Sequence, residues 1–151
     1  MQVDIIEIAP MRLHTVLHVG PVSEIPQAWG RLDAWLSSRG LRDHVELAVG
    51  LCERAPNEAG DIVYRAGVVL RGEDAASDGI EIVEAPGGRY ARHRLVGPYS
   101  GIAGAFQKLY REWLPASGYE PDDRPALEIY RNDPRVTPEP ELVTALLAPV
   151  R

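Results

Sequence analysis

The stretch Val3-Asp4-Ile5-Ile6-Glu7 returns 77 residues later as Ile80-Glu81-Ile82-Val83-Glu84, matched in polarity at every place. The same shift lays Gly20-Pro21 on Gly97-Pro98, Ser23 on Ser100, Ile25 on Ile102, Ala28 on Ala105, Trp29 on Phe106 and Leu32 on Leu109. One residue is then inserted in the second copy. At a shift of 78, Trp35-Leu36 falls on Trp113-Leu114, Gly40 on Gly118, Leu51 on Ile129 and Pro56 on Pro134. An order kept over so long a stretch marks an internal duplication, with copies at about 1–72 and 79–151 of one domain spanning 1–151. Two copies are too few for a solenoid, so each is expected to complete the other's core. The polar run Arg71 to Gly79 is the natural joint between them.

Both copies carry the same periodicities. Val3 to Ile8 and Leu13 to Val19 read as two strands joined by a turn at Ala9-Pro10, and Ile80 to Glu84 and Tyr90 to Val96 as two more around Ala85 to Gly88. Ser23 stands where a helix cap belongs, and Ile25, Ala28, Trp29, Leu32 and Leu36 follow at helical spacing until Gly40. The partner helix runs from Ser100 through Ile102, Ala105, Phe106, Leu109 and Trp113 to a stop near Gly118. Strand-like runs follow at Val45 to Cys52 and Ile62 to Leu70, and again at Ala126 to Tyr130 and Leu142 to Val150. The order strand, strand, helix, strand, strand, twice over, predicts an α+β fold. It has an antiparallel sheet with two helices on one face and a ligand groove at a pseudo-two-fold axis.

Composition narrows the function. The 151 residues hold 16 Lys+Arg against 22 Asp+Glu, a formal charge of -6, and no basic stripe, so direct nucleic-acid binding is not expected. The single cysteine, Cys52, rules out an internal disulfide and follows apolar Leu51, which favours a buried, inert thiol. Neither a basic start nor a long apolar run marks a signal peptide or membrane span, and a cytoplasmic protein with no membrane association is expected. No cofactor or metal is expected. His14 and His18 share a strand face but are separated by roughly 13 Å, too far for one ion, and His44 and His93 are scattered. Gly97, Gly101 and Gly104 lack the Lys-Ser or Lys-Thr of a phosphate loop, and Gly97-Pro98 repeats Gly20-Pro21 as a shared turn.

The most informative position is one where the copies differ in kind. In Pro125-Ala126-Leu127-Glu128-Ile129-Tyr130, alternation sets Leu127 and Ile129 on one face, Glu128 and Tyr130 on the other. The repeat partner of Glu128 is Gly50, so one copy offers a negative charge where the other has no side chain. A carboxylate in a dry pocket is pushed toward its neutral form, and a bound cation restores the charge, which makes a lipophilic cation the fitting guest. A solvent-facing strand residue is the competing reading. Tyr90, Tyr99, Tyr110, Trp113, Tyr119 and Tyr130 share the second copy with Glu128, and ring faces attract cations. Plain core packing competes for Trp29, Trp35, Phe106 and Trp113; Trp113 and Tyr130 are the better candidates for a pocket wall.

His93-Arg94-Leu95-Val96-Gly97-Pro98-Tyr99, the helix end Leu109-Tyr110-Arg111-Glu112-Trp113-Leu114, and Pro125 to Pro134 with Ala148-Pro149-Val150 resemble the GyrI-like small-molecule-binding family. That family includes the effector-binding domains of AraC-type and MerR-type multidrug transcription regulators, and the likeness extends over nearly the whole chain. It implies a central acid in the groove, and Glu128 occupies its motif place with Tyr130 beside it. Tyr90, Tyr99 and Trp113 complete the expected ligand-binding set. Val3 already begins the first copy, so a helix-turn-helix segment is not expected and a stand-alone binding module is. Relatives of this kind imply two alternatives. One is a hydrolase of cyclopropane-bearing DNA-alkylating natural products, in which Glu128 is the catalytic residue. The other is a modulator whose protein partner is DNA gyrase or a regulator.

Overall fold

The computed structural model describes residues 1–72 and 77–151. In chain order the elements are β1 (Asp4–Ile8), β2 (Met11–Pro21), α1 (Ile25–Ser38), β3 (Val45–Arg54), β4 (Asp61–Leu70), β5 (Glu81–Ala85) and β6 (Gly88–Val96). There follow α2 (Ile102–Lys108), a π-helical turn (Leu109–Trp113), α3 (Leu114–Ser117), β7 (Ala126–Tyr130) and β8 (Val143–Pro149). The fold is α+β with eight strands, as the periodicities predict. The middle of the polar joint, residues 73–76, with the acidic pair Glu73-Asp74, lies outside the described residues.

The first two strands of each copy do not pair with each other. β1 pairs with β6, whereas β2 lies between β4 and β5, all antiparallel. The reason is local. A two-residue hairpin needs positive φ at its centre, and Ala9-Pro10 supplies none: proline is fixed near -65° and holds the residue before it extended. The chain therefore runs on from β1 to β2 without turning back. As a result the molecule divides into two compact units, Pro10–Pro86 and Met1–Ala9 with Gly87–Arg151, and the division falls at Ala9/Pro10 and Pro86/Gly87. Each unit takes one edge strand from the other sequence copy.

The unit Pro10–Pro86 orders its strands β3-β4-β2-β5. Alternate residues of β4 (Ile62, Tyr64, Ala66, Val68, Leu70) and Val16 of β2 meet Ala28, Leu32, Trp35 and Leu36 of α1 in one buried cluster. These helix residues recur every three or four positions, which is why α1 has a single apolar face. Its start differs from expectation. Ser23 makes no capping hydrogen bond and lies in a 3-10 turn, Val22–Glu24, which leads into the helix with Pro26 in its first turn. Proline there gives up only an N–H that has no helical partner. The C-terminus is as read: Gly40, at φ 65°, lets Leu41 N–H donate to the Leu36 carbonyl at 2.8 Å and its own N–H to Ser37 at 3.2 Å.

The unit Met1–Ala9 with Gly87–Arg151 orders its strands β1-β6-β8-β7. Ala91 of β6, Ala148 of β8 and Val150 pack under Leu109 and Leu114, with Val3, Ile5, Phe106 and Trp113 around them. The second helix departs from the first at one place. Repeat alignment passes from a shift of 77 at Leu109 to 78 at Trp113, and the π-helical turn spans those residues, with Leu114 N–H donating to the Leu109 carbonyl. A single inserted residue is thus absorbed as one wide turn. Pro115, just after it, has no N–H to give, so the loosened ladder also relieves a proline inside the helix.

The connection entering β6 is fixed by Arg124. Its guanidinium donates to the carbonyls of Gly87 (3.0 Å), Arg89 (2.8 Å) and Val150 (2.9 Å) and pairs with Asp122 at 2.8 Å. Gly88 stands at φ 123°, and a Cβ there would lie 2.6 Å from Arg124 Nη1. Gly104, inside α2, has no atom within 4 Å of its would-be Cβ. These two glycines therefore respond oppositely to alanine. Gly88→Ala is expected to lower the unfolding free energy by about 2 kcal/mol or more, through strain and loss of the arginine's carbonyl contacts. Gly104→Ala is expected to raise it by about 0.5–1 kcal/mol, as helix propensity dictates. Urea unfolding of the two variants measures both.

Candidate functional site

β7 is short and its alternation is clear. Leu127 and Ile129 are buried, while Glu128 and Tyr130 are half-buried on the other face. Register shows which face that is. Glu128 sits opposite Leu146 of β8, which sits opposite His93 of β6; Tyr130, Thr144 and Leu95 form the next such row. These rows have the same parity as Ala91 and Ala148, which lie under the helix, so Glu128 and Tyr130 point to the helix-bearing side.

Three of the predicted residues come together there. The Tyr130 hydroxyl donates to Glu128 Oε1 at 2.5 Å, the short separation of a hydrogen bond to a carboxylate. The Tyr99 ring meets Tyr130 edge-on, centroids 5.3 Å apart and planes at 75°. Tyr99 reaches this position from the 3-10 turn Tyr99–Gly101 ahead of α2, after Gly97 N–H is tied to the Leu142 carbonyl at 2.8 Å. Beside Tyr130 in the register lies Thr144, wholly buried, whose Oγ1 has no hydrogen-bond partner among the described residues.

Two predicted residues stand elsewhere. Tyr90 has the opposite parity on β6, is fully buried, and lies under the Arg124 guanidinium at 4.7 Å from its ring centroid. Within this unit it does not share the face of Glu128. A one-residue difference in strand parity separates them, which aromatic content alone cannot reveal. Trp113 stacks on Tyr119, with planes 13° apart, and lines an open cleft of about 800 Å³ on the flank of α2 and α3. His93, Leu95, Lys108, Glu112 and Ser117 line it too, and Glu128, Tyr99 and Tyr130 do not. The sequence reading did not pick out Lys108 and Glu112; their spacing on one helix flank, next to the inserted residue, was the available signal.

The two histidines of β2 have packing partners. His14 stacks on Trp35 at 5.9 Å, and a His18 ring nitrogen lies 2.8 Å from the Pro21 carbonyl. Among the described residues no group of three or more His, Cys, Asp or Glu is arranged to hold a metal, and no helix is long and apolar enough to cross a membrane.

Burial pushes the Tyr99 phenol above its ordinary value of 10.0, and the Asp133 carboxylate adds to the effect. Tyr90 is also raised, by burial first, with Arg124 pulling the other way. The folded state thus favours the neutral phenols. Their stabilisation is complete below the ordinary value and is lost as pH rises through the raised one. Unfolding free energy is therefore expected to fall on the alkaline side of pH 10, and less steeply in Tyr99→Phe. A difference absorbance titration against that variant should show a late-ionising phenol.

Comparison with known proteins places this geometry in a family. The model of the GyrI-like small molecule binding domain matches residues 1–151. A protein named DNA gyrase inhibitor from Edwardsiella piscicida is 30% identical over 146 residues, 92% of each chain. Among solved structures, EcmrR in its DNA complex superposes with a TM-score of 0.84 at 15% identity, covering 99% of this chain and 57% of that one, so this chain spans little over half of it. SAV2435 bound to tetraphenylphosphonium superposes at 0.73 with 15% identity, over 100% of this chain and 94% of that one. At such identities these two likenesses establish the fold, whereas the full-length family match establishes kinship: the chain belongs to the GyrI-like small-molecule-binding domain family.

Proposed function

We propose that this protein binds a lipophilic cation or a flat aromatic compound against the helix-bearing side of β7, with the Glu128 carboxylate as the charge partner. The observation that carries this reading is the chain Tyr99–Tyr130–Glu128, in which two rings flank a half-buried acid and one of them holds it by a hydrogen bond. A carboxylate partly withdrawn from water attracts a positive charge more strongly than an exposed one, because less solvent competes. A large soft cation is the better guest than a compact ammonium, since it gives up little hydration and offers apolar surface to the rings. The tetraphenylphosphonium carried by SAV2435 is a cation of this kind. The Thr144 hydroxyl beside Tyr130, without a hydrogen-bond partner among the described residues, adds one hydrogen-bonding group to the same face.

Titration calorimetry with tetraphenylphosphonium tests the reading. The wild-type chain is expected to bind it, and Glu128→Gln to weaken binding at least tenfold, about 1.4 kcal/mol, with circular dichroism and melting temperature unchanged. Equal affinity in the variant would remove Glu128 from the role. The ligand is expected to be recovered intact. An opened ring in mass spectra after incubation with a cyclopropane-bearing electrophile would instead assign Glu128 to directing water. Supercoiling by purified DNA gyrase is expected to be unaffected by this protein; inhibition would give it a gyrase-directed role, in keeping with the name of the Edwardsiella relative.

A further inference from the structure

We infer that the cleft on the flank of α2 and α3 is a second small-molecule site, built for a flat aromatic compound carrying both a carboxylate and an amine. It lies within the unit Met1–Ala9 with Gly87–Arg151, and its size, about 800 Å³, suits a drug-sized molecule.

The duplication supplies an internal control. The repeat partners of His93, Trp113 and Ser117 are Val16, Trp35 and Arg39. In the unit Pro10–Pro86 these side chains fill the corresponding place. Val16 and Trp35 are each 6% exposed in the core, the Trp35 N–H donates to Ser77 Oγ at 3.2 Å, and Arg39 closes over Ser77 and Asp78. A core of this topology therefore does not require a cleft there. The second copy differs there by its inserted residue. The π-helical turn takes that residue in, so that Leu114 after it is buried as Leu36 is. Trp113, the last residue of that turn, is half-exposed and stacked on Tyr119, where Trp35 is buried.

The groups left facing the cleft are complementary to one kind of guest. Trp29 and Trp35 donate their indole N–H to Tyr64 and Ser77, whereas among the described residues the Trp113 N–H has no protein acceptor. Lys108 and Glu112 line the cleft one turn apart, and neither is engaged in an ion pair or side-chain hydrogen bond among the described residues. A ring can lie on the Trp113 face, a carboxylate can take the Lys108 ammonium and the indole N–H, and an ammonium can take Glu112. His93 also lines the cleft, its Nδ1 donating to the Gln2 carbonyl at 2.9 Å.

Titration with 4-(aminomethyl)benzoate, followed by NMR on the three indole N–H resonances, tests this. The Trp113 signal, identified by its absence in Trp113→Phe, is expected to shift while those of Trp29 and Trp35 stay. Benzoate and benzylamine, each lacking one charge, are expected to bind at least fivefold more weakly, and Lys108→Glu to erase the advantage over benzylamine. Gly104→Leu places a side chain into the open space of the cleft without meeting any protein atom at its Cβ, and should abolish the shift in a fully folded protein. Glu128→Gln should leave this titration unchanged, which separates the two sites. An unmoved Trp113 resonance at saturating probe, equal affinity for all three probes, or an undiminished shift in Gly104→Leu overturns the proposal.

Discussion

Two proline-bearing connections, each joining strands that do not pair with each other, govern the architecture. Ala9-Pro10 forbids the tight hairpin that the first two strands would otherwise form, and in the second copy Pro86-Gly87 joins β5, paired with β2, to β6, paired with β1. Each leading strand is therefore delivered to an edge made mostly by the other copy. β1 caps β6 and brings Ile5 and Val3 to the cluster under Leu109, and β5 caps β2, where Ile80 just ahead of it joins the core of α1. The helices can then settle on sheets four strands wide, and the residues of β7 acquire a defined face.

On that scaffold the two copies have drifted apart in chemistry while keeping their shape. The copy with Gly50 and Trp35 is packed: α1 is a regular helix, and its aromatic residues are hydrogen-bonded or buried. Glu128 and Trp113 mark the other copy, whose helix has taken in an extra residue and which holds the carboxylate with its two tyrosines. Duplication allows this division, because one copy can hold the fold while the other accepts strain and exposure.

Much of the framework was legible in the sequence because it rests on short-range periodicity. The eight strands, both helices and the glycine stops follow from apolar spacing and from residues suited to positive φ. Pairing partners were not legible, since strand periodicity says which residues face inward and nothing about which strand lies alongside. Ser23 looked like a cap because side-chain type is visible and the preceding 3-10 turn is not. The association of Tyr130 with Glu128 needs only strand alternation, whereas that of Tyr99 needs a turn to bring it across, and Tyr90 falls on the far face by parity. The inserted residue was visible as a change of shift; its expression as a π-helical turn required the helix ladder.

The crossed-over edge strands have an evolutionary corollary. A single ancestral copy would have carried a leading segment with no place to zip within its own sheet, and trading that segment with a sister molecule would have given it one. Fusion of the two genes would then have fixed an intertwined pair into one polypeptide, after which no symmetry obliged the halves to remain alike.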